Sequence, residues 1–98
     1  MPAVHFYVRW PDGQEEQCYS PSTVLQQYFQ PGDTMTLAEF VRRADQALRQ
    51  ASERVASKYG YYCSSAADQL AVIQRRAASY PDQQGSIEIT AIRELGAS

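Results

Sequence analysis

Cys63 stands in the stretch Tyr61-Tyr62-Cys63-Ser64-Ser65-Ala66-Ala67-Asp68-Gln69-Leu70, beside an expected helix start. Unpaired backbone N–H groups and the helix dipole favour negative charge at such an end. A thiolate is stabilised there, which makes Cys63 the candidate for thiol-dependent chemistry, as nucleophile or carrier. Its plain alternative is a small buried side chain. Cys18 is the second thiol, and the strand register derived below places it opposite Phe6 on the core side. A Cys18–Cys63 disulfide runs against the reducing compartment expected for this chain.

No fuller catalytic set accompanies these thiols. His5 is the one histidine, so any Cys–His pair must use it, and strand alternation turns it towards solvent. Cys18, Cys63 and His5 together offer three zinc ligands, but without a paired C-x-x-C unit and with His5 aimed away from Cys18. Motifs of the G-x-S-x-G, glycine-rich phosphate-loop and H-E-x-x-H types are missing from the sequence. Asp68 is best read as a helix-capping carboxylate. The expectation is therefore a protein without catalysis of its own, without a cofactor and without a metal.

A different chemistry, that of contact, is suggested by His5, Tyr7 and Tyr19, with Arg9 and Gln17 alongside. These side chains fall together on the outward face of an N-terminal hairpin. Tyrosine, histidine and arginine suit an interface, because aromatic bodies gain from burial while their polar tips tolerate water. A small sheet with one bare face and a free edge also invites self-association. Protein partners, including a second copy, are the expectation.

Particular elements must position these residues. Val4, Phe6 and Val8 alternate with His5, Tyr7 and Arg9, the period of a half-buried strand. Pro11-Asp12-Gly13 turns the chain, and Gln14–Ser20 returns it. With a three-residue turn Trp10 faces Gln14, Val8 faces Glu16, Phe6 faces Cys18 and Val4 faces Ser20. Ser20-Pro21-Ser22 predicts a short helix over Pro21–Phe29, capped by Ser20 and ended by Pro31-Gly32-Asp33.

The longest element is a helix over Leu37–Tyr59, ~35 Å at ~1.5 Å per residue. Thr36 and Glu39 form a capping box, and Leu37, Phe40, Val41, Ala44, Leu48, Ala51 and Val55 form one apolar stripe. Glu39 with Arg43 and Asp45 with Arg49 pair on the wet side. Lys58 and Gly60 suit the C-terminal end. Ser65 with Asp68, or Ser64 as alternative cap, starts a second helix with the stripe Ala66, Leu70, Ile73 and Ala77, stopped by Tyr80-Pro81-Asp82. In a last strand Ile87, Ile89 and Ala91 alternate with Glu88, Thr90 and Ile92.

The order β-β-(short α)-α-α-β predicts an α+β fold. A small antiparallel sheet, made of the N-terminal hairpin and the C-terminal strand, carries the two main helices on one face. Residues 1–98 read as one domain, with a frayed tail after Glu94. Nine basic against eleven acidic side chains, without a long block of either sign, argue against nucleic-acid binding. No apolar run approaches the ~20 residues of a membrane span, and a signal peptide is not expected. The predicted location is the cytoplasm.

Several segments together resemble a known family: Val8-Arg9-Trp10-Pro11-Asp12-Gly13, Cys18-Tyr19-Ser20-Pro21-Ser22, Ala51-Ser52-Glu53-Arg54-Val55, and Lys58-Tyr59-Gly60 running into Cys63-Ser64-Ser65-Ala66 and Asp68-Gln69-Leu70. They are similar to the short bacterial nitrogen starvation response proteins. Members of that family are typically encoded with a nitrilase-type hydrolase, a radical SAM protein, an acetyltransferase-like protein and a flavin-dependent oxidoreductase. The resemblance implies a cytoplasmic role linked to nitrogen limitation. The small size, the missing catalytic set and the aromatic outer face favour an accessory protein serving the enzymes of that cluster, the alternative being a thiol-dependent small enzyme or carrier that uses Cys63. It implies no reaction, cofactor or catalytic residue for this chain.

Overall fold

Alternating apolar residues on either side of a proline–glycine turn build the hairpin that organises the molecule. The computed structural model describes residues 3–60, 64–80 and 85–95. Strand β1 is Ala3–Arg9 and β2 is Glu15–Ser20, paired antiparallel with Val4 opposite Ser20, Phe6 opposite Cys18 and Val8 opposite Glu16. The predicted register therefore holds. The turn closes through Trp10 N–H donating to the Gln14 carbonyl and Gly13 N–H donating to the Trp10 carbonyl, both at 2.8 Å. Gly13 takes φ 89°, a conformation that L side chains avoid. Asp12 Oδ1 accepts from Gln14 N–H at 3.0 Å, and that bond leads the causes holding its carboxyl below the usual range.

The segment after the hairpin is tighter than predicted. It is a short 3₁₀ helix over Thr23–Gln27, and its cap is Ser22, whose hydroxyl accepts from Val24 N–H at 3.2 Å. Ser20 does not cap it. The Ser20 hydroxyl instead donates to the Ser22 carbonyl at 2.9 Å and accepts from Ser22 N–H at 3.3 Å, securing a buried corner. Gly32 turns the chain at φ 94°, and a strand absent from the sequence reading follows: β3, Thr34–Thr36.

Helix α1 runs over Leu37–Tyr59, as predicted, and ends on Gly60 at φ 77°. The Thr36 hydroxyl accepts from Glu39 N–H at 3.1 Å. The Glu39 carboxylate is taken by Arg42 at 2.6 Å and Arg43 at 2.7 Å, which hold its pKa down to about 2. The inward stripe is Leu37, Phe40, Ala44, Ala47, Leu48, Ala51 and Val55, with Val41 half-buried. Helix α2 spans Ser65–Ala78 and buries Ala66, Ile73 and Ala77. Ser64 occupies its cap position with helical backbone angles, and its hydroxyl makes no capping bond. The Ser64 carbonyl accepts from Asp68 N–H at 2.8 Å instead.

Strand β4, Ser86–Leu95, completes an antiparallel sheet of four strands in the order β2-β1-β4-β3. Val8 pairs with Ile89 but Tyr7 pairs with Ala91, so Thr90 is one residue too many and forms a bulge. Its hydroxyl donates to the Tyr7 carbonyl at 3.2 Å. The bulge reverses the alternation beyond it. Ile92, expected outside, packs against the core, and Ala91, expected inside, is exposed.

Both main helices cover the inner face of the sheet, where Val4, Phe6, Val8, Cys18, Ile87 and Ile89 are fully buried. Trp10 locks one end of this layer. Its ring stacks on Tyr80 at 5.8 Å and meets Phe40 edge-on at 5.7 Å, while Nε1 donates to Glu16 at 2.8 Å. The Arg76 guanidinium lies 5.1 Å from the Trp10 ring and donates to Gln14 Oε1 at 2.9 Å. The end of α2 is thereby fastened to the hairpin turn.

Candidate binding face on the outer side of the sheet

The outward residues of β1, β2 and β4 form cross-strand rows, because residues directly opposite in an antiparallel pair share a face. One row is Tyr19–His5–Arg93, the next Gln17–Tyr7–Ala91, and the third Glu15–Arg9–Glu88. The predicted set His5, Tyr7, Arg9, Gln17 and Tyr19 is thus brought together on one surface, on the side away from the helices. His5 sits edge-on between Tyr7 at 6.4 Å and Tyr19 at 6.0 Å. Gln17 Nε2 lies 3.4 Å from His5 Nε2, which ties the second row to the first.

The two ends of this face differ in charge. Near the hairpin turn, Arg9 sits 3.0 Å from Glu88 and 3.6 Å from Glu15, so its charge is answered there. These groups are about half exposed and such pairs add little stability. At the other end, Arg93 has neither ion pair nor hydrogen bond among the described residues. The hydroxyls of Tyr7 and Tyr19 likewise have no partner among them. This end presents donors without acceptors, beside the small side chain of Ala91.

Arg93 is the residue that sequence reasoning missed. It was legible as part of the last strand, but its place beside His5 follows from β4 lying next to β1 and from the bulge at Thr90.

The thiols part company. Cys18 is a fully buried free thiol, and burial, followed by the nearby Glu16 charge, pushes it up to about 12. At neutral pH it is a protonated core side chain, which removes it from the candidate reactive groups. Cys63 lies outside the described residues, as does the Cys18–Cys63 pairing. Asp68 sits in the first turn of α2, where a carboxylate favours the dipole. Between α1 and α2 a groove of about 250 Å³ is lined by Leu48, Ser52, Ala66, Leu70 and Gln74, a floor of small and apolar groups.

A family model described as nitrogen starvation-induced protein NitG matches residues 5–92. The chain belongs to the NitG family. The match extends from the first row residue His5 to Ile92, and so takes in the hairpin, both helices and most of β4. No curated protein and no solved structure matches the chain. Among the described residues no helix is long and apolar enough to cross a membrane.

Proposed function

We propose that this NitG-family chain is a non-catalytic accessory protein of the nitrogen starvation response, which binds a protein partner through the outer sheet face. The observation that carries this reading is the row Tyr19–His5–Arg93, with Tyr7 beside it, on a surface that no other described element covers. Aromatic bodies with unspent donors are the composition of an interface rather than of an idle surface. The partner in this reading is an enzyme of the gene cluster that the family resemblance implies, and the shared compartment is the cytoplasm. A second copy of the chain is the other occupant to be tested on the same face.

Affinity capture from nitrogen-starved cells, with the chain as bait, tests the proposal. Recovery of a cluster enzyme, lost with the Tyr7→Ala/Tyr19→Ala bait, is the expected result. Capture of none of those enzymes, or equal capture by the double variant, would refute it. Native mass measurement of the purified chain reports self-association independently.

A further inference from the structure

The far edge of the sheet is unevenly protected. β3 covers β4 only over Ser86–Glu88, and the Gly32–Asp33 turn extends that cover to Ile89. Among the described residues, no strand lies beside Ala91–Leu95 on the side away from β1.

The hydrogen-bond pattern shows which groups that edge presents. Tyr19 N–H points out of the sheet, to Gln69 Oε1 at 2.9 Å, so His5 and Tyr19 are a non-bonded pair. The backbone groups of His5 and Tyr7 therefore turn towards β4 and meet Arg93 and Ala91. By alternation, the N–H and C=O groups of Ile92 and Glu94 face outward from the edge. Between them the Arg93 side chain rises on the outer face.

This edge is poorly suited to pairing with its own copy. A two-fold antiparallel match centred on Arg93 sets Arg93 against Arg93, and one centred on Glu94 sets Glu94 against Glu94. Like charges directly opposite are destabilising. A match centred on Ile92 runs within three residues into Ile89, whose edge groups are already bonded to Gly32 and Asp33 at 2.7 and 2.8 Å. Charged side chains that spoil self-pairing are a known protection of sheet edges. Here they also define a complement.

We infer that an extended segment of the partner adds as an antiparallel strand to the Ala91–Leu95 edge of β4, with an acidic residue opposite Arg93. In that register an apolar residue lies opposite Ile92 and a basic one opposite Glu94, so the recognised order is basic–acidic–apolar. Main-chain bonds to Ile92 and Glu94 supply the attachment, and the side chains supply the selection. This deepens the proposed partner-binding role and rests on it.

The probe is a capped peptide, Thr-Lys-Glu-Val-Thr, titrated to millimolar concentration into the ¹⁵N-labelled chain. The expected response is movement of the Ile92, Arg93 and Glu94 amides, about tenfold weaker with the charge-reversed Thr-Glu-Lys-Val-Thr. Glu94→Pro, which removes one outward N–H, should abolish the response. If that variant fails to fold by Trp10 fluorescence, the double variant Arg93→Glu/Glu94→Lys replaces it and should reverse the preference between the two peptides. No movement at the edge, or equal response to both peptides, overturns the inference. Tyrosine-dependent enzyme capture without any edge response would remove the edge and leave the face reading standing. An edge response with capture indifferent to the tyrosines would support the edge and remove the face.

Discussion

Exchanging the environments of two neighbours in β4 gives the sharpest test of the structure. Plain alternation from Ile87 and Ile89 places Ala91 inside and Ile92 outside, whereas the bulge at Thr90 places them the other way. Ile92→Ala removes roughly three methylene equivalents, about 2.4 kcal/mol at ~0.8 kcal/mol each if burial were complete. Ile92 is only partly buried, so the expected cost is roughly half, about 1–1.5 kcal/mol. For a domain of this size that is a fall in Tm of about 4–12 °C. Ala91→Asp adds a charge to an exposed position and should stay within about 0.5 kcal/mol of the parent. Urea unfolding followed by Trp10 fluorescence measures both, with equal m-values required for the comparison. A larger loss for Ala91→Asp than for Ile92→Ala would refute the bulged register.

Other outcomes follow from single groups. The Cys18 thiol keeps its proton in the fold up to about pH 12, while the unfolded chain releases it near its ordinary value of 9.0. Its contribution is thus complete below pH 9 and lost as pH rises towards 12; Cys18→Ala should lessen alkaline destabilisation, and native Cys18 should resist thiol reagents at neutral pH. Glu39 is the opposite case, its carboxyl lowered from 4.5 to about 2 by Arg42 and Arg43. The stability it confers is present above pH 4.5 and lost as pH falls towards 2, so Glu39→Gln should flatten that limb of an acid titration followed by circular dichroism. Gln69→Ala leaves Tyr19 N–H without its side-chain acceptor, and hydrogen exchange at that amide should accelerate with little change at Phe6 or Val8.

Much of the frame was legible because its determinants are local. The Pro11-Asp12-Gly13 turn sets the hairpin register, and the register alone puts Cys18 on the core side. The spacing from Leu37 to Val55 and the left-handed Gly60 mark the long helix for the same reason. The outer-face residues of β1 and β2 were legible too, since alternation in a hairpin sorts side chains by face. Ser22 rather than Ser20 caps the short helix because Ser20 finds nearer partners in the Ser22 backbone, a choice between two serines that spacing alone leaves open.

What escaped is long-range. Thr34–Thr36 is too short to show a period, and it becomes a strand only because Ser86–Glu88 lies alongside it. Arg76 reaches Trp10, 66 positions back, through the packing of α2 on the hairpin end. The bulge at Thr90 exists only in the pairing of β4 with β1, strands more than 75 positions apart in the chain.

Residue types and near-neighbour spacing thus determined the hairpin, the two helices and which faces they bury, because each rests on contacts a few positions apart. Tertiary structure decided that β4 sits between β1 and β3, that Arg93 stands beside His5 with no ion-pair partner among the described residues, and that no described strand covers the edge at Ile92 and Glu94. Those are consequences of which distant strands share hydrogen bonds, and backbone hydrogen bonds carry no record of their partners in the side chains.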